Sequence, residues 1–210
     1  MKRKTILLIA LTSLCVNLFA QEQQVVPWNV YIGVPIGPTD KTIFNTDQTY
    51  KVEMPYFSYG LSVDMEKSLT QEKKQIGLTI GYYLAYLHGS IKNSEKSSDE
   101  FKTISRWYNN PEKGMNQLTA MFTMEGNLYF NTRFHFAIPF GLGLTYASAC
   151  DKAMIAPCFS VSIRPSYFVS DQLAVFASYR WIVSPKIQYK DTALTQNNML
   201  ECGIMYTLIW

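Results

Sequence analysis

Alternation with a period of two recurs along this chain, and no helical repeat competes with it. Such a period puts successive side chains on opposite faces of an extended strand, so each alternating run specifies a strand with one apolar face. In "WNVYIGVPI", Trp28, Val30, Ile32, Val34 and Ile36 fall on one face, with Asn29, Tyr31 and Gly33 on the other. In "FSYGLSVDM", Phe57, Tyr59, Leu61, Val63 and Met65 alternate with Ser58, Gly60, Ser62 and Asp64. Six more frames follow, over 76–86, 118–130, 134–146, 159–167, 173–181 and 200–210. Their apolar faces hold no Asp, Glu, Lys, Arg or His and no Ser, Thr, Asn or Gln. The frame lengths are close to the roughly 9–11 residues that cross a bilayer as a tilted strand.

Two architectures share this pattern. A soluble lipocalin-like barrel buries its apolar face and wets the other, whereas a membrane barrel turns the apolar face to lipid. The second faces decide. They are rich in Gly, Ser, Thr and Ala, where a water-facing sheet carries many Lys and Glu. Small residues suit the narrow interior of eight strands. The expected fold is therefore all-β, an eight-stranded antiparallel up-and-down transmembrane barrel with a filled lumen.

Parity then puts Glu125, Arg164, Arg180 and Glu201 inside. A one-residue slip would turn either arginine toward lipid, at about 2–4 kcal/mol each near the midplane. Arg180 and Glu201 are expected at similar height on neighbouring strands, and Glu125 and Arg164 across the lumen. The plain reading is an ion-pair plug, and the sharper one a gated small-solute channel. Pro139 and Pro165 fall inside frames five and six, where a local bulge is expected.

The N-terminus reads as a secretory signal over 1–20. Lys2, Arg3 and Lys4 precede a short apolar stretch, and Ala20 stands before "QEQQ". The remaining domain is 21–210. Of 19 basic and 16 acidic side chains, three basic ones leave with the signal, so the mature chain carries 16 of each. That balance gives no basic face for nucleic acid. Cys150 and Cys158 flank a short connection, and export to an oxidising compartment makes a disulfide between them a fair expectation. Cys202 has no evident partner.

Connections set the expected orientation. "NTR" and the "VSDQ" region are short, and the stretches opposite them, 37–55, 88–116 and 184–198, are long. Short periplasmic turns and long outer loops put both termini in the periplasm. Trp107 and Tyr108, adjacent aromatics in a mixed-charge outer loop, are contact candidates for an extracellular partner.

The chain ends "IMYTLIW", with Ile204, Tyr206 and Leu208 apolar and Trp210 a terminal aromatic. This ending resembles the C-terminal targeting strand of bacterial outer-membrane proteins. With the signal and the eight frames, the mature chain resembles the small eight-stranded outer-membrane barrels (OmpX-like, OmpW-like and the OmpA barrel). The resemblance implies outer-membrane lipid and handling by the outer-membrane barrel assembly machinery; a monomer is expected, and no metal spacing or nucleotide-binding glycine loop calls for a cofactor or metal.

One short motif points to chemistry. His88 and Ser90 in "HGS" share the apolar parity near the outer rim, and Glu100 follows. This resembles the His-x-Ser pair of lipid A deacylases, in which histidine activates serine against an acyl ester and an acid orients the histidine. Ile91 stands where that family has asparagine, and the pair lies on the third strand rather than late in the chain. The expected role is structural or loop-presenting, with a lipid A-modifying hydrolase as the alternative.

Overall fold

The computed structural model describes residues 27–44, 51–70, 76–91, 114–149, 152–187 and 192–208. Eight strands follow one another: β1 Trp28–Phe44, β2 Lys51–Ser68, β3 Ile76–Ser90, β4 Met115–Tyr129, β5 Phe134–Ala149, β6 Lys152–Phe168, β7 Leu173–Ile187 and β8 Thr192–Leu208. Each pairs antiparallel with its sequence neighbour, and β8 pairs with β1 to close the barrel. Closure leaves no open edge around the wall, which hydrocarbon would not tolerate.

The stagger can be read from the rungs. A path across the hydrogen-bonded partners runs Asn29, Glu66, Gly81, Thr123, Gly141, Ser160, Ile182 and Asn197, and returns to β1 at Thr39. Once around the barrel, the ladder has climbed from residue 29 to residue 39 of β1. That stagger goes with a strand tilt of about 35–45° and an interior just wide enough for side chains to fill.

The alternation sorts the two faces as parity requires. Tyr31, Ser62, Asp64, Tyr83, Glu125, Arg164, Arg180 and Met205 are buried inside, while Leu142, Ile76, Tyr82 and Leu200 stand out at 60% exposure or more. The chain is inside-out relative to a water-soluble protein.

The strands run further than the apolar frames. β1 continues to Phe44 and β2 begins at Lys51; β7 reaches Ile187 and β8 begins at Thr192. The stretches 37–55 and 184–198, expected as loops, are thus largely strand. Pairing needs only backbone amides, which alternate in any sequence, so the ladder persists where side-chain alternation has lapsed.

The prolines make no bulge, a second correction. Ala137 pairs with Arg164 and Phe140 with Val161, so the register across Pro139 is unchanged. Ile163 pairs with Tyr179 and Ser166 with Phe176, so it is also unchanged across Pro165. Each proline interrupts one ladder and keeps the other: Pro139 still faces Glu125 on β4, and Pro165 still faces Phe136 on β5. Pro35 and Pro38 behave alike, the first breaking the β2 side and the second the β8 side. A strand residue turns its amide to one neighbour only, so a missing N–H costs one rung and moves nothing.

Candidate functional site

The inward charges meet in one layer. Arg164, fully buried, donates from Nη1 to Asp64 Oδ2 at 2.9 Å and from Nη2 to both Glu66 and Glu125. Its guanidinium lies over the Tyr31 ring, 3.7 Å from the centroid. Arg180 lies over Tyr83 at 3.9 Å and approaches Asp64 Oδ2 at 3.4 Å and Glu201 Oε2 at 3.6 Å. Ser62 donates to the other oxygen of Glu201. Asp64 therefore links the two arginines, and charges from β2, β4, β6, β7 and β8 are tied across the barrel. Asp64 and Glu66 belong to this network, and sequence reasoning did not single them out. Parity was the available signal, since Glu66 is the next inward position after Asp64, just past the end of its alternating frame.

Apolar clusters adjoin this network on both sides, among buried Ser, Thr and Asn side chains. Along β7 the inward residues run Phe176, Ser178, Arg180, Ile182. Phe176 packs with Tyr31, Ala174 and Met205 toward the Trp28/Leu208 end. Ile182 packs with Tyr83, Ala85, Met121 and Cys158 toward the opposite end. Below the first layer, His135 bonds to Asn127 and stacks on Tyr129, ring centroids 4.8 Å apart. Above the second, Gln117, Thr119 and Thr145 form a hydrogen-bonded chain. Charge flanked by apolar side chains has little water to compete with its ion pairs, so the arginine–carboxylate contacts hold the wall together through the centre.

The histidine motif lies outside. His88 is half-buried and Ser90 exposed, both on the outward face of β3. His88 Nδ1 is 2.9 Å from Asn116 Oδ1, and Tyr86 Oη donates to the same oxygen at 2.8 Å. The Tyr59 ring meets the imidazole edge-on at 5.8 Å. An amide oxygen only accepts, so in this contact Nδ1 of His88 is the donor. Asn116 was not anticipated, because it comes from the neighbouring strand and only the β3–β4 register, with His88 opposite it, brings it near. Glu100 lies outside the described residues, as do Trp107, Tyr108 and the terminal Trp210. Ile204 and Tyr206 face outward on β8, and Leu208 pairs with Trp28 in the closing ladder.

The expected disulfide is corrected. Cys158 is a free thiol, buried in the lumen opposite Gly143, and the β5–β6 hairpin closes at Ala149 and Lys152. Six residues of strand, about 20 Å at 3.3 Å each, separate Cys158 from that end. Cys150 itself lies outside the described residues. Cys202 is also free and faces outward. Among the described residues, no group of three or more His, Cys, Asp or Glu side chains is arranged to hold a metal ion.

A wall studded with exposed Ile, Leu, Phe and Tyr around a core of buried arginine and carboxylate has one compatible surrounding, a lipid bilayer. The fold is that of a bacterial outer-membrane β-barrel. No protein-family model matches the chain, and no curated protein matches it. Solved structures do. The outer membrane protease OmpT from Escherichia coli aligns at 10% identity and a TM-score of 0.50, over 91% of this chain and all of that one. The outer membrane protein OprG from Pseudomonas aeruginosa aligns at 8% identity and a TM-score of 0.50, over 89% of this chain and 97% of that one. At such identities the likeness is one of architecture: an outer-membrane barrel in membrane lipid.

Proposed function

We propose that this outer-membrane barrel is a sealed anchor, and that its activity is exerted at the end opposite Trp28 and Leu208. The observation that carries this reading is the lumen. Among the described residues, a network of two arginines and four carboxylates is tied across the barrel between two clusters of buried apolar side chains, which supports a filled lumen. In this reading both termini are periplasmic and the connection between β3 and β4, with Trp107 and Tyr108, presents an extracellular contact surface. A paired experiment tests it. The purified barrel in a planar bilayer should give no conductance steps, and deleting residues 92–112 should leave heat-modifiable barrel assembly intact while abolishing surface contact by the expressing cells. Stepwise conductance would overturn the sealed lumen; unchanged contact would overturn the loop's role.

The His88–Asn116 contact favours a second reading, a hydrolase acting on acyl esters of lipid A. In it Asn116 orients the imidazole and Nε2 of His88 takes the Ser90 proton as Ser90 Oγ attacks the acyl carbonyl; the proton passes to the departing alcohol oxygen as its C–O bond breaks, and water, activated in the same way, then releases the fatty acid from Ser90. Asparagine in place of an acid leaves the imidazolium formed in that step without a counter-charge. Mass spectrometry of lipid A from cells expressing the chain or its Ser90→Ala variant decides: identical spectra eliminate the enzyme.

A further inference from the structure

One row of the outer wall differs from those beneath it. Paired residues carry it from strand to strand: Ile36 on β1, Tyr59 on β2, His88 on β3, Asn116 on β4, Ser148 on β5 and Ala153 on β6. All of them lie on the outward face. The four in the middle offer a phenol, an imidazole, an amide and a hydroxyl, and Ile36 and Ala153 bound them with hydrocarbon. The polar stretch is therefore a sector of the wall, three strand spacings or about 14 Å long. Strand tilt makes it run obliquely up the barrel.

The rows toward the Trp28/Leu208 end lose polarity in steps. The first is Leu61, Tyr86, Leu118 and Tyr146, and the second is Val63, Leu84, Ala120 and Leu144, hydrocarbon throughout. The polar sector thus stands where the lipid-facing belt gives way, with tyrosines at the transition as at a membrane interface.

Two hydrogen bonds hold the sector in shape. His88 Nδ1 and Tyr86 Oη both donate to Asn116 Oδ1, at 2.9 and 2.8 Å. They fix the amide through its oxygen, so its NH2 is the half that can donate to a ligand. Tyr59, 52% exposed, meets the imidazole edge-on. The sector and the row beneath it contain no Lys, Arg, Asp or Glu. A phosphate is recognised by Arg and Lys, and neither is offered here. Neutral donors and acceptors beside exposed aromatic rings suit a sugar. Its hydroxyls both donate and accept, and its C–H face packs on an aromatic ring. Continuity with the apolar belt adds that the sugar must belong to a lipid.

We propose that Tyr59, His88, Asn116 and Ser148 form a headgroup site for a glycolipid, whose sugar lies along this row and whose acyl chains lie on the apolar rows beneath. The site shares His88 and Asn116 with the hydrolase reading but needs no attack by Ser90, so unaltered lipid A in the hydrolase test leaves it standing. That a glycolipid of the outer leaflet reaches this rim rests on the outward orientation proposed above.

The chain has two histidines, His88 on the outer wall and His135 buried in the lumen, so one reports and the other is an internal control. The folded barrel, its histidines isotopically labelled, is titrated in dodecylphosphocholine micelles and followed by nuclear magnetic resonance. Lipid A and the neutral monogalactosyl diacylglycerol should each shift the imidazole signals of His88 saturably and leave those of His135 in place. Phosphatidylglycerol should shift neither. In Asn116→Leu, half-saturation should need at least tenfold more lipid A. The site is overturned if His88 does not respond to lipid A, if it responds equally to phosphatidylglycerol, if the uncharged galactolipid has no effect, or if Asn116→Leu binds as the parent does. The lipid comparison uses the parent barrel alone, so it decides even where the leucine variant does not fold. A barrel of reversed orientation would still bind in micelles, so failure of the titration speaks against the site and not against the orientation.

Discussion

Arg164 is the residue on which the interior turns. It is fully buried and touches Asp64, Glu66 and Glu125. Removing its charge, as in Arg164→Met, leaves three carboxylates without their principal counter-charge in the centre of the barrel. Stripping one partner from a buried ion pair costs about 3–5 kcal/mol, and urea unfolding in lipid vesicles should register a loss of that size. Glycines give a sharper contrast, because the same residue type plays opposite parts inside and outside. A Cβ at Gly33 would sit 2.8 Å from both Ser62 Oγ and Glu201 Cγ, so Gly33→Val crowds the charged layer and should cost about 1–3 kcal/mol. At Gly126 an added Cβ meets nothing within 4 Å. Gly126→Ala should therefore stabilise the strand by about 0.5–1 kcal/mol in the same unfolding assay, by lowering the entropy lost on folding. Parity alone placed Glu125, Arg164, Arg180 and Glu201 inside. It could not say that Asp64 would stand between the two arginines, since that depends on the stagger of β2 against β6 and β7.

Strands in this barrel are decided by two signals of different reach. Side-chain alternation marks the part of each strand that lies against apolar surroundings, and it ends near Ile36, Phe57, Phe159 and Trp181. Backbone pairing goes on to Phe44, Lys51, Lys152 and Ile187, where no alternation announces it. The boundaries at that end were illegible because hydrogen-bonding capacity is the same in nearly every residue. The exceptions are the prolines, and each leaves a visible gap without changing the register. Pro35 illustrates what one such gap is worth. Pro35→Ala returns a donor toward β2, opposite Gly60. Hydrogen exchange should find the new amide protected, with a gain of about 0.5–1.5 kcal/mol. A shifted register in that variant, seen as altered cross-strand contacts by nuclear magnetic resonance, would contradict the account of prolines as single missing rungs.

Over the whole molecule, the apolar belt and the closed ladder answer the same requirement. Inside lipid every backbone amide needs a partner, and every charged side chain needs to face away. Ile163 sits midway along the apolar frame of β6 and is 48% exposed. Ile163→Arg should lower stability by about 2–4 kcal/mol in a bilayer, whereas Phe130→Arg, in the turn beyond β4, should cost no more than about 1 kcal/mol. Equal losses at both places would mean that the belt does not lie where lipid is thickest.

The sequence alone determined the number of strands, which face of each is apolar and which charges are internal, because a period of two leaves only one assignment once a charge in hydrocarbon is excluded. Tertiary structure alone decided the rest. The register between strands, closing with a stagger of ten residues on β1, sets which inward charges meet, brings Asn116 to His88 and puts Ser62 beside Glu201. None of these follows from any single strand, because the offset between strands belongs to the closed ladder and appears only when β8 returns to β1.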